Sequence, residues 1–102
     1  MSRKVIFPEN FKFKNINIKL DRKTNKSASY WVDCYEHDEL KDFEKILDFI
    51  EELKEYIHQQ GFNFRLITDY DTLLSDIEGE PFYGFDMRVL PSKRYKGLDS
   101  NG

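Results

Sequence analysis

The stretch EKILDFIEELKEY, Glu44 to Tyr56, decides how this chain folds. Its apolar residues recur three and four positions apart, the spacing that places side chains on one side of an α-helix. The spacing continues on both sides, so the apolar stripe comprises Leu40, Phe43, Ile46, Leu47, Ile50, Leu53 and Ile57. Asp38 is a suitable N-cap, and Gly61 supplies the left-handed residue that ends many helices. The sequence therefore predicts one long helix from Glu39 to Gln60.

The segments around this helix alternate apolar and polar residues, as half-buried β-strands do. The predicted strands cover residues 11–20, 28–35, 62–68 and 82–90, and residues 5–7 are expected to form either a first edge strand or an arm. The apolar residues change parity after Phe13, which requires an extra residue and predicts a β-bulge at Lys14–Asn15. A short helix capped by Asp71 and ended by Gly79 is predicted before the last strand. We expect an α+β fold, with an antiparallel sheet of four to five strands and one long helix packed on one face (β-β-β-α-β-short α-β).

The length of the chain, 102 residues, predicts a single domain, because a second core could not close from what remained after the first. We expect the α+β domain to span residues 1–91 and residues 92–102, which are almost free of apolar side chains, to form a mobile polar tail. The single cysteine, Cys34, excludes an internal disulfide and favours a reducing compartment. With no long apolar run and no leader pattern, we expect a cytoplasmic protein with no membrane contact.

Charge is distributed unevenly along the chain. Residues 1–30 carry eight basic and two acidic side chains, whereas residues 31–80 carry four basic and fifteen acidic ones. The first part has a net charge of +6 and the second of -11, although the whole chain carries only -3. Such segregation bears on partners and association rates rather than on the fold.

The polar side of the predicted helix is a candidate protein-binding surface. Its carboxylates are Glu44, Asp48, Glu51, Glu52 and Glu55. Like-charged residues four positions apart cost a helix about 0.2–0.5 kcal/mol per pair. The row is roughly 16 Å long with a carboxylate at every turn, so it could meet a basic groove in place of a phosphate backbone. Two structural alternatives remain, a solvated face that keeps the domain soluble and a face docked on the chain's own basic hairpin.

These features lead to a first functional hypothesis, a small acidic protein-binding module. By analogy of size and charge, it would be an inhibitor of the phage or mobile-element anti-defence type, or of the immunity type, which blocks a basic nucleic-acid-binding surface on a partner such as a nuclease. The expected partner-binding residues are Glu44, Asp48, Glu51, Glu52, Glu55, Asp69, Tyr70 and Asp71. A homodimer that pairs basic with acidic regions is a further possibility.

The segment FKFKNINIKLDRKTNK, Phe11 to Lys26, supports an alternative hypothesis of nucleic-acid binding. The residues expected to contact phosphates are Lys12, Lys14, Arg22 and Lys23, with help from the tail segment SKRYK. Exposed aromatic side chains of the hairpin would stack on bases, as in sheet-based single-strand binders. The structural alternative is an edge strand protected by lysines with its phenylalanines in the core, which the pI of about 5.4 favours.

No catalytic, cofactor or metal motif is found in the sequence. The segment DYDTLLSDIEGE, Asp69 to Glu80, has acids at positions one, three and twelve of a calcium loop, but leucines at positions five and six, where a ligand and a glycine are required. Cys34, His37 and His58 are the only thiol and imidazole side chains, too few for a closed zinc site. Nothing in the sequence pairs Cys34 with an oriented base. We therefore expect a protein that is not an enzyme and binds no cofactor or metal.

Overall fold

The structure is a computed structural model that describes residues 5–93. Its strands are β1 (Phe11–Phe13), β2 (Ile16–Lys23), β3 (Ala28–Asp33), β4 (Phe62–Leu66) and β5 (Gly84–Pro91), and its helices are α1 (Phe43–Gln59) and α2 (Tyr70–Gly79). A short 3₁₀ helix, Asp38–Lys41, precedes α1. The strands form one antiparallel sheet in the order β1-β2-β3-β5-β4. The expected α+β fold is therefore confirmed.

A two-residue turn joins β1 and β2, where the sequence predicted a bulge within one strand. Lys14 and Asn15 have φ angles of 52° and 68°, and Phe13 pairs directly with Ile16. Positive φ at both central residues defines the type I′ turn, whose twist matches that of the flanking strands. The change of parity is thus a reversal of the chain, and the phenylalanines of β1 lie on the same face as the isoleucines of β2.

A bulge does occur, but further along the chain. The register between β2 and β3 shifts between Leu20 and Arg22, which leaves Asp21 as the extra residue. The side chain of Arg22 is therefore brought into register with Ser29. The shift decides which face of the sheet carries Arg22.

Helix α1 begins four residues later than predicted. Asp42, not Asp38, is its N-cap, and the Asp42 carboxylate accepts hydrogen bonds from the amides of Glu44 at 2.9 Å and Lys45 at 3.3 Å. Asp38 starts the 3₁₀ helix instead and forms an ion pair with Lys41 at 3.1 Å. Because both aspartates suit an N-cap, the sequence alone does not decide between them, and the prediction of Asp38 was wrong. The predicted end of the helix is confirmed at Gly61, whose φ is 91°.

Of the two alternatives for residues 5–7, the edge strand is wrong, because none of these residues belongs to a strand. Phe7 is buried, and its ring centroid lies 5.5 Å from that of Phe62. Strand β5 begins at Gly84, two residues later than predicted, and Tyr83 just before it is 56% exposed. The N-terminal segment therefore contributes to the core as a packed arm.

The core lies between α1 and one face of the sheet. The buried residues of α1 are Ile46, Phe49, Ile50, Leu53 and Ile57, and the sheet contributes Ile16, Ile18, Ala28, Tyr30, Val32, Phe85, Met87 and Val89. Phe49 was not in the predicted stripe, whereas Leu47, which was, is only partly buried. The ring centroid of Phe13 lies 5.8 Å from that of Phe49, and the ring centroid of Phe11 lies 5.7 Å from that of Tyr30. The phenylalanines of the hairpin are thus partly buried and packed against the core, on the side that the structural alternative predicted.

The opposite face of the sheet carries polar and charged residues, and we call it the open face. By register it includes Lys12, Asn17, Lys19, Arg22, Ser29, Trp31, Asp33, Asn63, Arg65, Asp86, Arg88 and the half-buried Leu90. No polar or charged residue in the described part of the chain is buried, so this face is accessible to solvent. An antiparallel sheet with one packed and one solvated face is a common arrangement.

Candidate functional site

The five carboxylates of α1 form one continuous surface, which we call the acidic face. Its members, all exposed, are Glu44, Asp48, Glu51, Glu52 and Glu55. At 3.6 residues per turn they fall within an arc of about 100°, nearly opposite the buried stripe. Lys45 and Lys54 border this arc on its two sides. The acidic face therefore points away from the core and from the sheet.

Only one member of the acidic face is ion-paired within residues 5–93. Lys14 Nζ lies 2.5 Å from Glu52 Oε1, and both side chains are 51% exposed. Such an exposed pair contributes little to stability. No described basic side chain forms an ion pair with the other four carboxylates. Docking of the acidic face on the chain's own hairpin, one of the alternatives above, amounts to this single contact.

The second acidic segment forms helix α2, not a loop. Asp69, rather than the expected Asp71, is its N-cap, and its carboxylate accepts a hydrogen bond from the amide of Thr72 at 2.8 Å. This hydrogen bond holds the pKa of Asp69 below its usual value. Leu73 is fully buried, which agrees with a helical turn where a calcium loop would need a ligand.

The contact residues expected on α2 differ in their availability. Tyr70 is 50% exposed and Asp71 is exposed, whereas the carboxylate of Asp69 is already engaged in capping its own helix. Within residues 5–93 no hydrogen bond or ion pair joins these acids to the acidic face of α1. Asp71 and Tyr70 are thus the two exposed side chains of this group that are not engaged in capping the helix.

The four basic residues proposed to bind nucleic acid do not form one surface. The register places Lys12 and Arg22 on the open face, but Lys23 on the opposite face. Lys14 lies at the hairpin turn and is paired with the acidic face. Most of the SKRYK segment lies outside the described residues. The basic hairpin is therefore divided between the two sides of the sheet.

Cys34 is a core residue without the features of a nucleophile. It is fully buried, and its Sγ lies 3.7 Å from the carbonyl oxygen of Val32, to which the thiol can donate. Burial, with smaller contributions from Asp33 and Glu39, raises the pKa of Cys34 to about 12. Such a thiol is protonated near pH 7, and the thiolate is the reactive form.

Sequence reasoning missed one feature, a row of arginines on the open face formed by Arg22, Arg65 and Arg88. Only Arg22 was singled out, because it lies in the basic hairpin. The other two belong to β4 and β5, and no signal in the sequence reveals that these strands bring them together.

Comparison of the chain with protein-family models, with curated proteins and with solved structures found no match. Within residues 5–93, no helix has the length and apolar character needed to cross a membrane. In the same part of the chain, no three His, Cys, Asp or Glu side chains come together in a way that could hold a metal ion. The functional proposals below therefore depend on the geometry and charge of the two surfaces.

Proposed function

We propose that this protein is a non-enzymatic binding protein whose acidic face occupies a basic surface of a partner protein. The observation that supports the proposal is the arrangement of the five carboxylates. All are exposed on one side of α1, and within residues 5–93 only Glu52 is ion-paired. Four carboxylates thus lie in a row without an ion-pair partner among the described residues.

This arrangement costs stability. Glu44 with Asp48, Asp48 with Glu52, and Glu51 with Glu55 are like-charged pairs four residues apart, each unfavourable by about 0.2–0.5 kcal/mol. Within residues 5–93, neither Lys45 nor Lys54 lies close enough to these carboxylates to form an ion pair with them. Local rules of stability are most often broken where a surface serves another purpose. A basic partner would replace this repulsion with attraction.

The geometry also suggests the kind of partner. The acidic face is a straight row of roughly 16 Å with a carboxylate at each turn, a spacing of charge that resembles a phosphate backbone. A surface that holds nucleic acid, as a nuclease has, offers the complementary charge, and such complementarity increases association rate and specificity. The protein would then act as an inhibitor of the anti-defence or immunity type. Asp71 and Tyr70 are available for further contacts, with the aromatic ring as an anchor.

The test is capture of binding proteins from a lysate of the source cell by wild-type protein and by a charge-reversed variant. The variant Glu44→Lys, Asp48→Lys, Glu51→Lys reverses three members of the acidic face. A control variant, Glu9→Lys, Glu36→Lys, Glu78→Lys, changes the net charge equally at exposed positions outside α1.

We expect a basic protein that survives nuclease treatment, is retained by wild type and by the control, and is lost with the α1 variant. Retention by the α1 variant, or equal loss with both variants, would contradict the proposal. So would capture of a second copy of this chain as the main product, because the acidic face would then serve self-association.

A further inference from the structure

Three arginines from three strands lie side by side across the open face. Arg22 pairs with Ser29, Ser29 with Arg88, and Arg88 with Arg65, so the row crosses β2, β3, β5 and β4. Neighbouring strands lie about 4.8 Å apart, so the row is roughly 14 Å long. All three arginines are exposed. We call these three residues the arginine row.

The arginine row forms no ion pair within residues 5–93. None of its guanidinium groups forms an ion pair or hydrogen bond with another described side chain. Arg65 and Arg88 are directly opposite each other on adjacent strands, where like charges are destabilising. Lys19 on the same face, by contrast, is paired with Asp33 at 3.4 Å. The positive charge of the row is therefore available to a ligand.

An aromatic surface lies next to the arginine row. Trp31 is two residues from Ser29 on β3, which is about 6.7 Å along the strand. Its ring lies against Gly84, where an added Cβ would be 2.9 Å from Trp31 Cζ2. Trp31 and Tyr83 line one surface groove, and Tyr83 stacks on Tyr35 with ring centroids 5.1 Å apart. The half-buried ring of Trp31 thus lies two residues along β3 from the arginine row, next to the exposed ring of Tyr83.

We propose that the open face binds single-stranded nucleic acid, with phosphates on the arginine row and a base stacked in the groove of Trp31 and Tyr83. Guanidinium groups bind phosphate through two parallel hydrogen bonds. Aromatic side chains on a sheet stack on unpaired bases, which a duplex does not offer. This inference is independent of the function proposed above, because the acidic face lies on the other side of the molecule.

The carboxylate of Asp86 on the open face opposes such a ligand. Asp86 pairs with Trp31 across β3 and β5, and its pKa is raised by burial and by the nearby charge of Asp21. An ionised Asp86 would repel phosphate beside the arginine row. The variant Asp86→Asn should therefore bind nucleic acid more tightly than wild type, opposite in sign to the loss of an arginine.

The experiment measures the affinity for a labelled single-stranded oligonucleotide by fluorescence anisotropy over a series of salt concentrations. For three phosphate contacts, log K should fall with log salt with a slope of about -2. Arg65→Gln with Arg88→Gln should weaken binding about tenfold or more and reduce the slope by about 1.4. Trp31→Leu should weaken binding roughly fivefold or more with little change in slope.

Matched controls distinguish loss of binding at the arginine row from the effect of lower positive charge and from the effect of unfolding. Lys45→Gln with Lys54→Gln removes the same charge from the side of α1, and the affinity should not change. The arginine variant should keep or raise the melting temperature, because it removes a repulsive cross-strand pair.

Three results would overturn the proposal. The first is no binding by wild type at low salt, and the second is equal loss of binding with the arginine and lysine variants. The third is binding of duplex as tightly as of single strand, which would mean that the aromatic groove takes no part.

Discussion

Replacing Asp48 with asparagine should stabilise this protein, although Asp48 lies in the surface proposed to bind a partner. Asp48 is four residues from Glu44 and from Glu52 and three from Glu51, and all are exposed on α1. The one opposite charge at helical spacing is Lys45, three residues before it. The side chain thus takes part in three repulsive pairs and one attractive pair.

The expected effect follows from these neighbours. At about 0.2–0.5 kcal/mol per pair, two repulsive pairs remain after the attractive one is subtracted, so Asp48→Asn should add about 0.4–1 kcal/mol to the free energy of unfolding. Aspartate and asparagine have similar helix propensities, so the backbone contributes little. In a domain of this size the gain corresponds to a melting temperature higher by about 2–8 °C.

Thermal unfolding followed by circular dichroism at low and at high salt checks this prediction. The rise should appear at low salt and fade at high salt, because salt screens exposed charges. Glu52→Gln is the matched control, since it also removes repulsion but breaks the ion pair with Lys14, and its gain should be smaller. A lower melting temperature for Asp48→Asn at low salt, or a rise that salt does not affect, would refute the reasoning.

Three further predictions test the fold. Asp42→Ala should lower the free energy of unfolding by about 1 kcal/mol in denaturant titrations, because Asp42 caps α1. Asp38→Ala should lower it by less, and an equal loss with both variants would contradict the assigned start of the helix. Gly84→Ala should destabilise by more than about 2 kcal/mol, since its Cβ would lie 2.0 Å from a backbone oxygen, whereas Gly79→Ala has open space and should be neutral or stabilising. Cys34 should react with a thiol reagent only when the protein unfolds, and fast labelling of the native protein at neutral pH would contradict its burial. Because burial raises the pKa of Cys34 from 9.0 to about 12, the free energy of unfolding should fall as the pH rises through this range.

The sequence predicts well what depends on neighbours along the chain. The three-and-four spacing of apolar residues continues for several turns after Phe43, which predicts a helix and no other element. Gly61 ends this helix with the positive φ that was expected. The exposed carboxylates of the acidic face follow from the same helical period. Both features can be predicted without knowing which strands are adjacent in the sheet.

The errors have physical reasons. Lys14–Asn15 lacks the glycine typical of a type I′ turn, so a parity change that marks a chain reversal was interpreted as a bulge. Asp38 and Asp42 both suit an N-cap, and only the intervening 3₁₀ helix decides between them. In each case local chemistry allowed two structures and tertiary packing selected one.

The arginine row could not be predicted at all. Its residues come from β2, β4 and β5, and they meet only because β5 lies between β3 and β4 in the sheet. The bulge at Asp21 is also required to bring Arg22 into register with Ser29. Strand order and register together decide this surface, and neither is encoded in a local pattern.

The acidic face and the open face lie on opposite sides of the molecule, because α1 packs with its apolar stripe on the other face of the sheet. The net charge of -3 therefore conceals two surfaces of different character. Each contains like charges that repel one another in the isolated protein. Each can be neutralised without touching the core.

The most direct test of the proposed function is a competition between this protein and nucleic acid for the captured basic partner. The partner is loaded with a labelled oligonucleotide and titrated with protein that carries Arg65→Gln and Arg88→Gln, so that the open face takes no part. We predict release of the oligonucleotide as protein is added, and no release when Glu44, Asp48 and Glu51 are also changed to lysine. Binding of protein and oligonucleotide to the partner at the same time would contradict the claim that the acidic face takes the place of nucleic acid.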